Sequence, residues 1–199
     1  MADKFFNDIK KAMLSSNPWS SHHASGFKKY IKEKVNVKQG NYCCYCLRDL
    51  LRETERNKHI EHILPKSKFP VYTFDLTNLA ISCVRCNSDR KLSDISFLTR
   101  DISKFRNQWS NSVYDKNLYR FVHPNLDNIF SHLERTVFTN DNRVYYRYKI
   151  RTKKGEFHYN YFDLKFYELQ SIRENQGIKK DQESKNSREL IELLFKKHL

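Results

Sequence analysis

Two pairs of cysteines constrain the fold of this 199-residue chain more than any other feature of its sequence. Cys43 and Cys46 form one C-x-x-C pair, Cys83 and Cys86 form the other, and 36 residues (47–82) lie between them. Each pair presents two thiolates on a tight turn, and two such turns supply the four ligands of a structural zinc ion. Because the gap is longer than in a simple zinc ribbon, we expect a folded unit between the two turns.

The cysteines also have a competing interpretation. A thioredoxin-like redox role is the alternative for a C-x-x-C pair. Two matched pairs, without a strand–helix–strand pattern around them, favour the metal instead. Cys44 fits neither pair, and we expect it to be a buried or free thiol.

The residues between and just after the cysteine pairs predict two short strands and a helix. Residues 58–64 form a β-rich run that Pro65 ends, residues 79–82 form a second run, and residues 86–92 are typical of a helix. Zinc would clamp both ends of this β, β, α unit. An acid, an imidazole and a carboxamide lie on the three elements, and we expect them to converge on one small site.

The motifs of this unit resemble the ββα-metal motif of the HNH endonuclease family. They are Glu61-His62-Ile63-Leu64-Pro65, Asn78-Leu79, and a C-x-x-C-Asn-x-x-x-Lys stretch at 83–91. The resemblance covers about residues 40–95. The order of the predicted elements along the chain favours an α+β fold with flanking helices and a C-terminal region of mixed hairpin and helix, and the resemblance implies a zinc-stapled HNH core within it.

The resemblance also implies a role for each motif residue in the hydrolysis of a nucleic-acid phosphodiester. His62 would be the general base that takes a proton from the attacking water. Glu61 and Asn87 would hold one Mg²⁺ or Mn²⁺, which prefer oxygen ligands and stabilise charge on the phosphate and on the leaving oxygen. Asn78 would orient His62 and brace the loop between the strands. Lys91, one helical turn after Asn87, would contact a phosphate.

The sequence departs from the family pattern at two positions. The family's acid is often Asp; Glu61 is one methylene longer, so the metal would sit differently or take His59 as an additional ligand. The last letter of the name HNH stands for a His, and this chain has Asn87 at that position. An amide oxygen still binds Mg²⁺, but it binds a soft metal poorly. Taken singly, Asn87 could merely cap its helix and Glu61-His62 could be an ordinary exposed pair.

The charge of the chain indicates a polyanionic partner. Lys and Arg number 37 against 23 acids, which gives a net charge of +14. A basic globular chain binds nucleic acid by neutralising phosphates and releasing counterions. Charge that serves solubility alone is the alternative.

Other classes of function are excluded by what the sequence lacks. The four glycines stand alone, so no phosphate-cradling loop and no Walker-type ATP site can be built from them. The N-terminus lacks the apolar segment of a signal peptide, and no apolar run reaches the roughly 18 residues of a membrane span. We therefore expect a cytoplasmic protein with no membrane partner.

The chain divides by pattern into three parts: an N-terminal helical segment at 1–40, the HNH core at 41–98, and an α+β accessory or partner region at 99–199. Between the first two predicted helices, residues 15–25 read as a polar loop. Apolar residues at helical spacing predict five helices, at 4–14, 26–35, 101–109, 163–176 and 187–197.

Residues 136–150 predict a β-hairpin that turns at 140–142. Arg147, Lys149 and Arg151 stand among tyrosines along its second strand. We expect this strand to contact nucleic acid through phosphates and base stacking. The alternative is that the tyrosines pack into a core on one face and meet a partner protein on the other.

A short downstream stretch extends the resemblance. The sequence His-Pro-Asn-Leu-Asp at 123–127 is similar to a His-Pro-x-x-Asp stretch in bacterial HNH proteins that resemble the nuclease subunit of Septu-type and retron-associated anti-phage systems. Those proteins act beside an ATPase subunit, which fits a chain without a nucleotide site of its own. The resemblance implies a DNA-cleaving subunit of a defence complex. HNH nucleases that cut both strands often work as two copies, so a homo-oligomer is a further expectation.

Three other functions stay open at this point. They are a free-standing restriction or mobile-element nuclease, an RNA-cleaving toxin, and a catalytically inactive, zinc-stapled module that binds nucleic acid. Intact Glu61, His62 and Asn87 argue against the last, because a pure binder has no need of them.

Overall fold

The β, β, α unit that the sequence predicts is present in the structure, a computed structural model of the chain. β1 (Lys58–His62) and β2 (Leu79–Cys83) pair antiparallel over their full length. A π-helix, Arg85–Lys91, follows β2 directly and is called the site helix below. All five residues of β2 are buried, because its side chains are apolar or small on both faces. The prediction of two strands and a helix is confirmed.

The structure describes residues 3–140, 143–168 and Leu193. Packing divides the protein into two compact units, Met1–Asp127 and Asn128–Leu199, and each is described here by itself. The boundary predicted at the end of the HNH core falls inside the first unit. The three-part division by pattern, which concerns independent folding, stays a prediction.

Helices begin the first unit. α1 (Asp3–Met13) is followed by α2 (Ser25–Tyr30), which continues through a π-helical segment, Ile31–Val35, into α3 (Asn36–Lys38). The apolar face predicted for the second helix is buried at Phe27. Both helices predicted in this part of the sequence are confirmed.

The polar segment between α1 and α2 is more ordered than a plain loop. It holds two 3₁₀ turns, Pro18–Ser20 and His22–Ala24, and each has a side-chain cap. The Asn17 side chain accepts from the backbone N–H of the first turn, and the Ser21 hydroxyl accepts from that of the second. These caps fix the position of Trp19 in the first turn.

Gln39 closes the outer edge of β2. Its side-chain amide donates to the carbonyl of Ile81 at 2.7 Å and accepts from the Ile81 N–H at 3.0 Å, as a neighbouring strand would. The backbone N–H of Cys44 donates to the same carbonyl at 3.0 Å. The helical segment and the first cysteine turn are thereby both fixed to β2.

The helix predicted at 101–109 is wrong. That stretch contains only a 3₁₀ turn, Ser103–Phe105. The Asp101 carboxylate accepts from both the backbone N–H and the hydroxyl of Ser103, at 2.8 and 2.9 Å. Such local bonds compete with a helix, and the Trp109 ring packs on Tyr72 with ring centroids 4.9 Å apart instead of joining a helical face.

The second unit is built on a β-hairpin. β3 (Leu133–Asn140) pairs antiparallel with β4 (Arg143–Ile150), so the predicted hairpin is confirmed and begins earlier than residue 136. α4 (Lys153–Tyr161) follows, and the Thr152 hydroxyl caps it by accepting from the backbone N–H of Gly155 at 3.0 Å.

α4 lies outside the predicted helices because its apolar residues show little helical periodicity. Its glycine, Gly155, is required by packing, since an added Cβ would lie 2.2 Å from the carbonyl oxygen of His132. Of the helix predicted at 163–176, residues 165–168 are helical. Residues 169–176 of that prediction lie outside the described residues. The helix predicted at 187–197 also lies outside them, except for Leu193, which is helical.

Candidate active site

The four paired cysteines come together as their spacing predicts. The Sγ atoms of Cys43, Cys46, Cys83 and Cys86 all lie within 4.8 Å of one another, and all four side chains are buried. The Cys46 and Cys83 sulfurs are 3.8 Å apart. A tetrahedral ion with Zn–S bonds of about 2.3 Å requires sulfurs roughly 3.8 Å apart. The donor set and its spacing therefore fit a zinc ion.

Burial keeps the thiols of Cys43 and Cys46 protonated in the absence of a bound cation. Burial raises the pKa of Cys43 and of Cys46 well above the ordinary thiol value. A metal that binds here must displace protons, as structural zinc does. Cys44 is buried beside the cluster but is not part of it, and burial raises the pKa of its thiol as well.

Glu61 lies at the centre of a buried polar cluster. Its Oε1 accepts from the Tyr45 hydroxyl at 3.1 Å and lies 2.7 Å from the Nζ of Lys91. Burial raises the pKa of Glu61, and the charge of Lys91 with the hydrogen bonds from Lys91 and Tyr45 opposes that rise. Tyr45 belongs to the first cysteine turn and Lys91 ends the site helix, so both of these elements reach the carboxylate.

Lys91 has no exposed surface. Its Nζ donates to the backbone carbonyl of His62 at 2.8 Å in addition to its ion pair with Glu61. The side chain faces the motif acid, a contact that the sequence did not predict. The predicted phosphate contact has no support from this position, since a buried ammonium cannot reach a bound strand.

The hydrogen bond of His62 selects one tautomer. Its Nε2 lies 3.1 Å from the carbonyl oxygen of Thr73. A carbonyl only accepts, so Nε2 carries the proton and the lone pair belongs to Nδ1. Burial, with a smaller effect of the positive charge of Lys66, lowers the pKa of His62 to about 3. The imidazole is therefore neutral at physiological pH and can accept a proton at Nδ1.

Trp19 packs against the candidate base. The indole and the His62 imidazole meet edge to face, with ring centroids 4.4 Å apart. Lys28 donates to the Trp19 carbonyl at 3.1 Å and holds the turn in place. The sequence does not predict this contact. The one sign of order in this segment of the sequence is Asn17 before Pro18, a pair typical of the start of a helical turn.

Asn78 braces the loop between the strands, as predicted. Its Oδ1 accepts from the backbone N–H of Leu64 at 2.6 Å, and its Nδ2 donates to the carbonyls of Leu64 and Tyr72, each at 3.1 Å. Tyr72 precedes Thr73, so this amide fixes the segment whose carbonyl holds His62. The role of Asn78 as an orienting residue stays a proposal.

Asn125 braces the same loop from outside. Its Nδ2 donates to the carbonyls of Thr77 and Leu79, at 2.8 and 2.9 Å. These are the two neighbours of Asn78 in the chain. The downstream His-Pro-Asn-Leu-Asp stretch thus contacts the candidate site, a contact that the sequence did not predict.

His59 and Asn87 lie where β1 meets the site helix. His59 shares a face of β1 with Glu61 by the alternation of a strand, and its Nδ1 lies 3.4 Å from the Ser88 hydroxyl on that helix. Asn87 is half-buried in the first part of the same helix. The fold therefore places both residues on the elements that hold the Glu61 cluster.

The three basic residues predicted to bind nucleic acid belong to the second unit. Arg147 and Lys149 lie on one face of the hairpin, where Thr136 and Glu134 are their cross-strand partners. Arg151 forms an ion pair with Glu134 at 2.6 Å. That pair offsets part of the positive charge on this face.

The tyrosines of β4 pack on both faces of the hairpin. Tyr148 meets Tyr159 of α4 edge to face, with ring centroids 6.1 Å apart. Tyr145, on the opposite face, stacks with Phe138 at 6.0 Å. The contacts of these two tyrosines are packing contacts.

Comparison with known proteins agrees with this geometry. Residues 43–91 match the family described as HNH endonuclease. The chain therefore carries an HNH endonuclease domain, which the cysteine spacing and the Glu-His-Ile-x-Pro motif predict. Within the described residues, no helix is long and apolar enough to cross a membrane.

Two curated proteins are similar to this chain over part of their length. It is 30% identical over 82 residues to the "Retron Vc95 putative HNH endonuclease" of Vibrio cholerae serotype O1 biovar El Tor. It is 36% identical over 67 residues to the "Septu protein PtuB" of Bacillus thuringiensis. These matches cover 40% and 34% of this chain, and span 38% and 26% of the two relatives. No solved structure shows a significant match.

Proposed function

We propose that the chain is a metal-dependent HNH endonuclease that hydrolyses phosphodiester bonds, with DNA as the substrate. The observation that carries the proposal is the tautomer of His62. A general base needs a lone pair held in one direction, and the Thr73 carbonyl holds the His62 imidazole with its lone pair on Nδ1. It lies next to Glu61 in the chain, and Asn87 lies on the helix that Glu61 contacts.

In the proposed reaction, Nδ1 of His62 accepts a proton from a water molecule as the water oxygen attacks phosphorus. The bond from phosphorus to the 3′ oxygen then breaks, and that oxygen takes a proton from solvent water, which leaves a 5′-phosphate and a 3′-hydroxyl. Glu61 and Asn87 would hold one Mg²⁺ or Mn²⁺, with His59 as an additional ligand. When bound, that ion would stabilise negative charge on the phosphate and on the leaving oxygen.

The oxygen donors suit such an ion. Glu61 uses Oε1 for both its contacts with Tyr45 and Lys91, and a carboxylate has a second oxygen for a cation. Carboxylate and amide oxygens are ligands that Mg²⁺ accepts. The four-cysteine cluster would hold zinc, whose task is structural because its four ligands are all from the protein.

We further propose that the protein works in the cytoplasm as the nuclease subunit of an anti-phage complex with an ATPase. The names of the two relatives, a retron HNH endonuclease and a Septu protein, support a defence role. Arg147 and Lys149 of the hairpin are proposed to contact nucleic acid. Arg151 would contact it as well once its ion pair with Glu134 is broken. Cutting of both strands would call for a second copy.

The test is a cleavage assay on plasmid, single-stranded DNA and RNA, with Mg²⁺, with Mn²⁺ and with neither. We expect His62→Ala to lower kcat by about 100-fold or more, the usual contribution of a general base. His22→Ala, an exposed histidine in the same unit, is the matched control and should cleave normally. Metal-dependent cleavage that is unchanged in His62→Ala would refute the proposal, and RNA cleavage alone would replace DNA as the substrate.

Co-purification tests whether the nuclease works in a complex with an ATPase or alone. Tagged protein expressed with its neighbouring genes should retain an ATPase subunit. Full activity of the isolated chain, with no ATPase retained, would favour the free-standing nuclease. Absence of cleavage both alone and with a retained ATPase would favour the inactive binding module.

A further inference from the structure

We propose that Lys91 is a positioning residue, whose ammonium ties the Glu61 carboxylate and the His62 backbone to the site helix. This inference rests on the proposed function, because it assigns Lys91 a task within that active site. It replaces the phosphate contact that the sequence suggested for the same residue.

The contacts of Lys91 join three parts of the site. Its Nζ lies 2.7 Å from Oε1 of Glu61 and donates at 2.8 Å to the carbonyl of His62, the next residue of β1. Lys91 itself ends the helix that carries Asn87 and begins beside the second cysteine pair. One ammonium thus connects the two consecutive motif residues of β1 with the helix that would supply the amide ligand.

The surroundings of Lys91 leave little freedom to its ammonium. The Phe97 ring lies beside it, with its centroid 5.6 Å from Nζ. A carboxylate, a carbonyl and an aromatic face therefore surround one side chain that has no exposed surface. Withdrawing the ammonium would leave a buried carboxylate without its ion pair, so the Glu61–Lys91 contact is held firmly.

This arrangement fixes the directions of two side chains. With Oε1 held by Lys91 and Tyr45, the Glu61 carboxylate cannot rotate freely, and its second oxygen keeps one direction. With the His62 carbonyl held from one side and its Nε2 held by Thr73, the imidazole keeps Nδ1 in one direction. Small errors in such geometry are costly, since a displacement of about 1 Å can lower a rate by about 100-fold.

The experiment compares Lys91→Met with Lys29→Met, an exposed lysine of the same unit. Positioning predicts that Lys91→Met lowers kcat by about 100-fold and leaves the KM for DNA and its salt dependence unchanged. A phosphate contact predicts a higher KM and a salt dependence reduced by about one charge. That second result would overturn the proposal. Lys29→Met should match the wild type in both constants.

A measurement that needs no cleavage separates this proposal from the proposed function. The ¹⁵N-edited spectrum of the histidine rings, with His62 assigned by its loss in His62→Ala, should show shifted or broadened His62 signals in Lys91→Met. Unchanged His62 signals would overturn the positioning role even where the wild type cleaves DNA. Shifted signals with no wild-type cleavage, either alone or with a retained ATPase, would refute the proposed function and leave the contacts of Lys91 with Glu61 and His62 supported.

Lys91→Met could also destabilise the fold, because it leaves the Glu61 charge buried and unpaired. The double variant Glu61→Gln/Lys91→Met removes both charges and should recover the Tm that the single variant loses. Its His62 signals should remain displaced, since the bond to the His62 carbonyl is still absent. Wild-type His62 signals in the double variant would overturn the proposal.

Discussion

Replacement of Asn78 by alanine should destabilise the loop between β1 and β2 and lower the free energy of unfolding. In the wild type, the buried N–H and carbonyl of Leu64 depend on the Asn78 amide. The amide also donates to the Tyr72 carbonyl, which has a second donor in the Asp75 N–H at 3.2 Å. An unsatisfied buried polar group costs about 1–3 kcal/mol, so the full range for the Leu64 N–H and the lower end for the Leu64 carbonyl give a loss of about 2–4 kcal/mol in the free energy of unfolding. A loss of this size is large compared with the stability of a small protein.

Urea unfolding of the zinc-loaded protein, followed by tryptophan fluorescence, measures this loss. Both tryptophans, Trp19 and Trp109, pack on side chains of the loop and report on it. Asn117→Ala, at an exposed position of the same unit, is the matched control and should change the free energy of unfolding by no more than about 0.5 kcal/mol. A loss below about 1 kcal/mol for Asn78→Ala would show that the loop is held by something other than this amide.

Two further outcomes can be checked on purified protein. Gly155→Ala should destabilise the second unit by about 1–3 kcal/mol, the usual cost of overpacking, because the new Cβ would lie 2.2 Å from the His132 carbonyl oxygen. Gly26→Ala, where the Cβ would meet its nearest neighbour at 3.6 Å, should be neutral or stabilising; identical thermal melts of the two variants would contradict this. Cys83→Ser should lose the zinc that the wild type retains, whereas Cys44→Ser should keep it. A colorimetric zinc assay decides, and equal zinc content in both variants would exclude the cluster as the binding site.

Much of the HNH core could be predicted because its signals are local. The two cysteine pairs fix four ligands by spacing alone, and a β-rich run ended by Pro65 fixes the first strand. The hairpin of the second unit is similarly local, since β3 and β4 follow one another in the chain with only two residues between them. Such patterns need no knowledge of what lies across the fold.

The surroundings of the site could not be predicted, because they depend on residues far apart in the chain. The spacing of Asn87 and Lys91 places both on one helix, but the contacts of the buried lysine with Glu61 and Phe97 depend on distant parts of the chain. Trp19 meets His62 across 42 intervening residues (20–61) without any shared motif. The missing helix at 101–109 has the same cause, since a tertiary contact of Trp109 replaced the helical face that its spacing suggested.

The reach of Asn125 back to Thr77 and Leu79 also bears on how the protein is made. During synthesis, the loop beside the candidate base emerges from the ribosome well before the residue that braces it. These two contacts therefore cannot form until the chain has been extended to the His-Pro-Asn-Leu-Asp stretch. Until then, the segment whose Thr73 carbonyl accepts from His62 would lack its brace from outside.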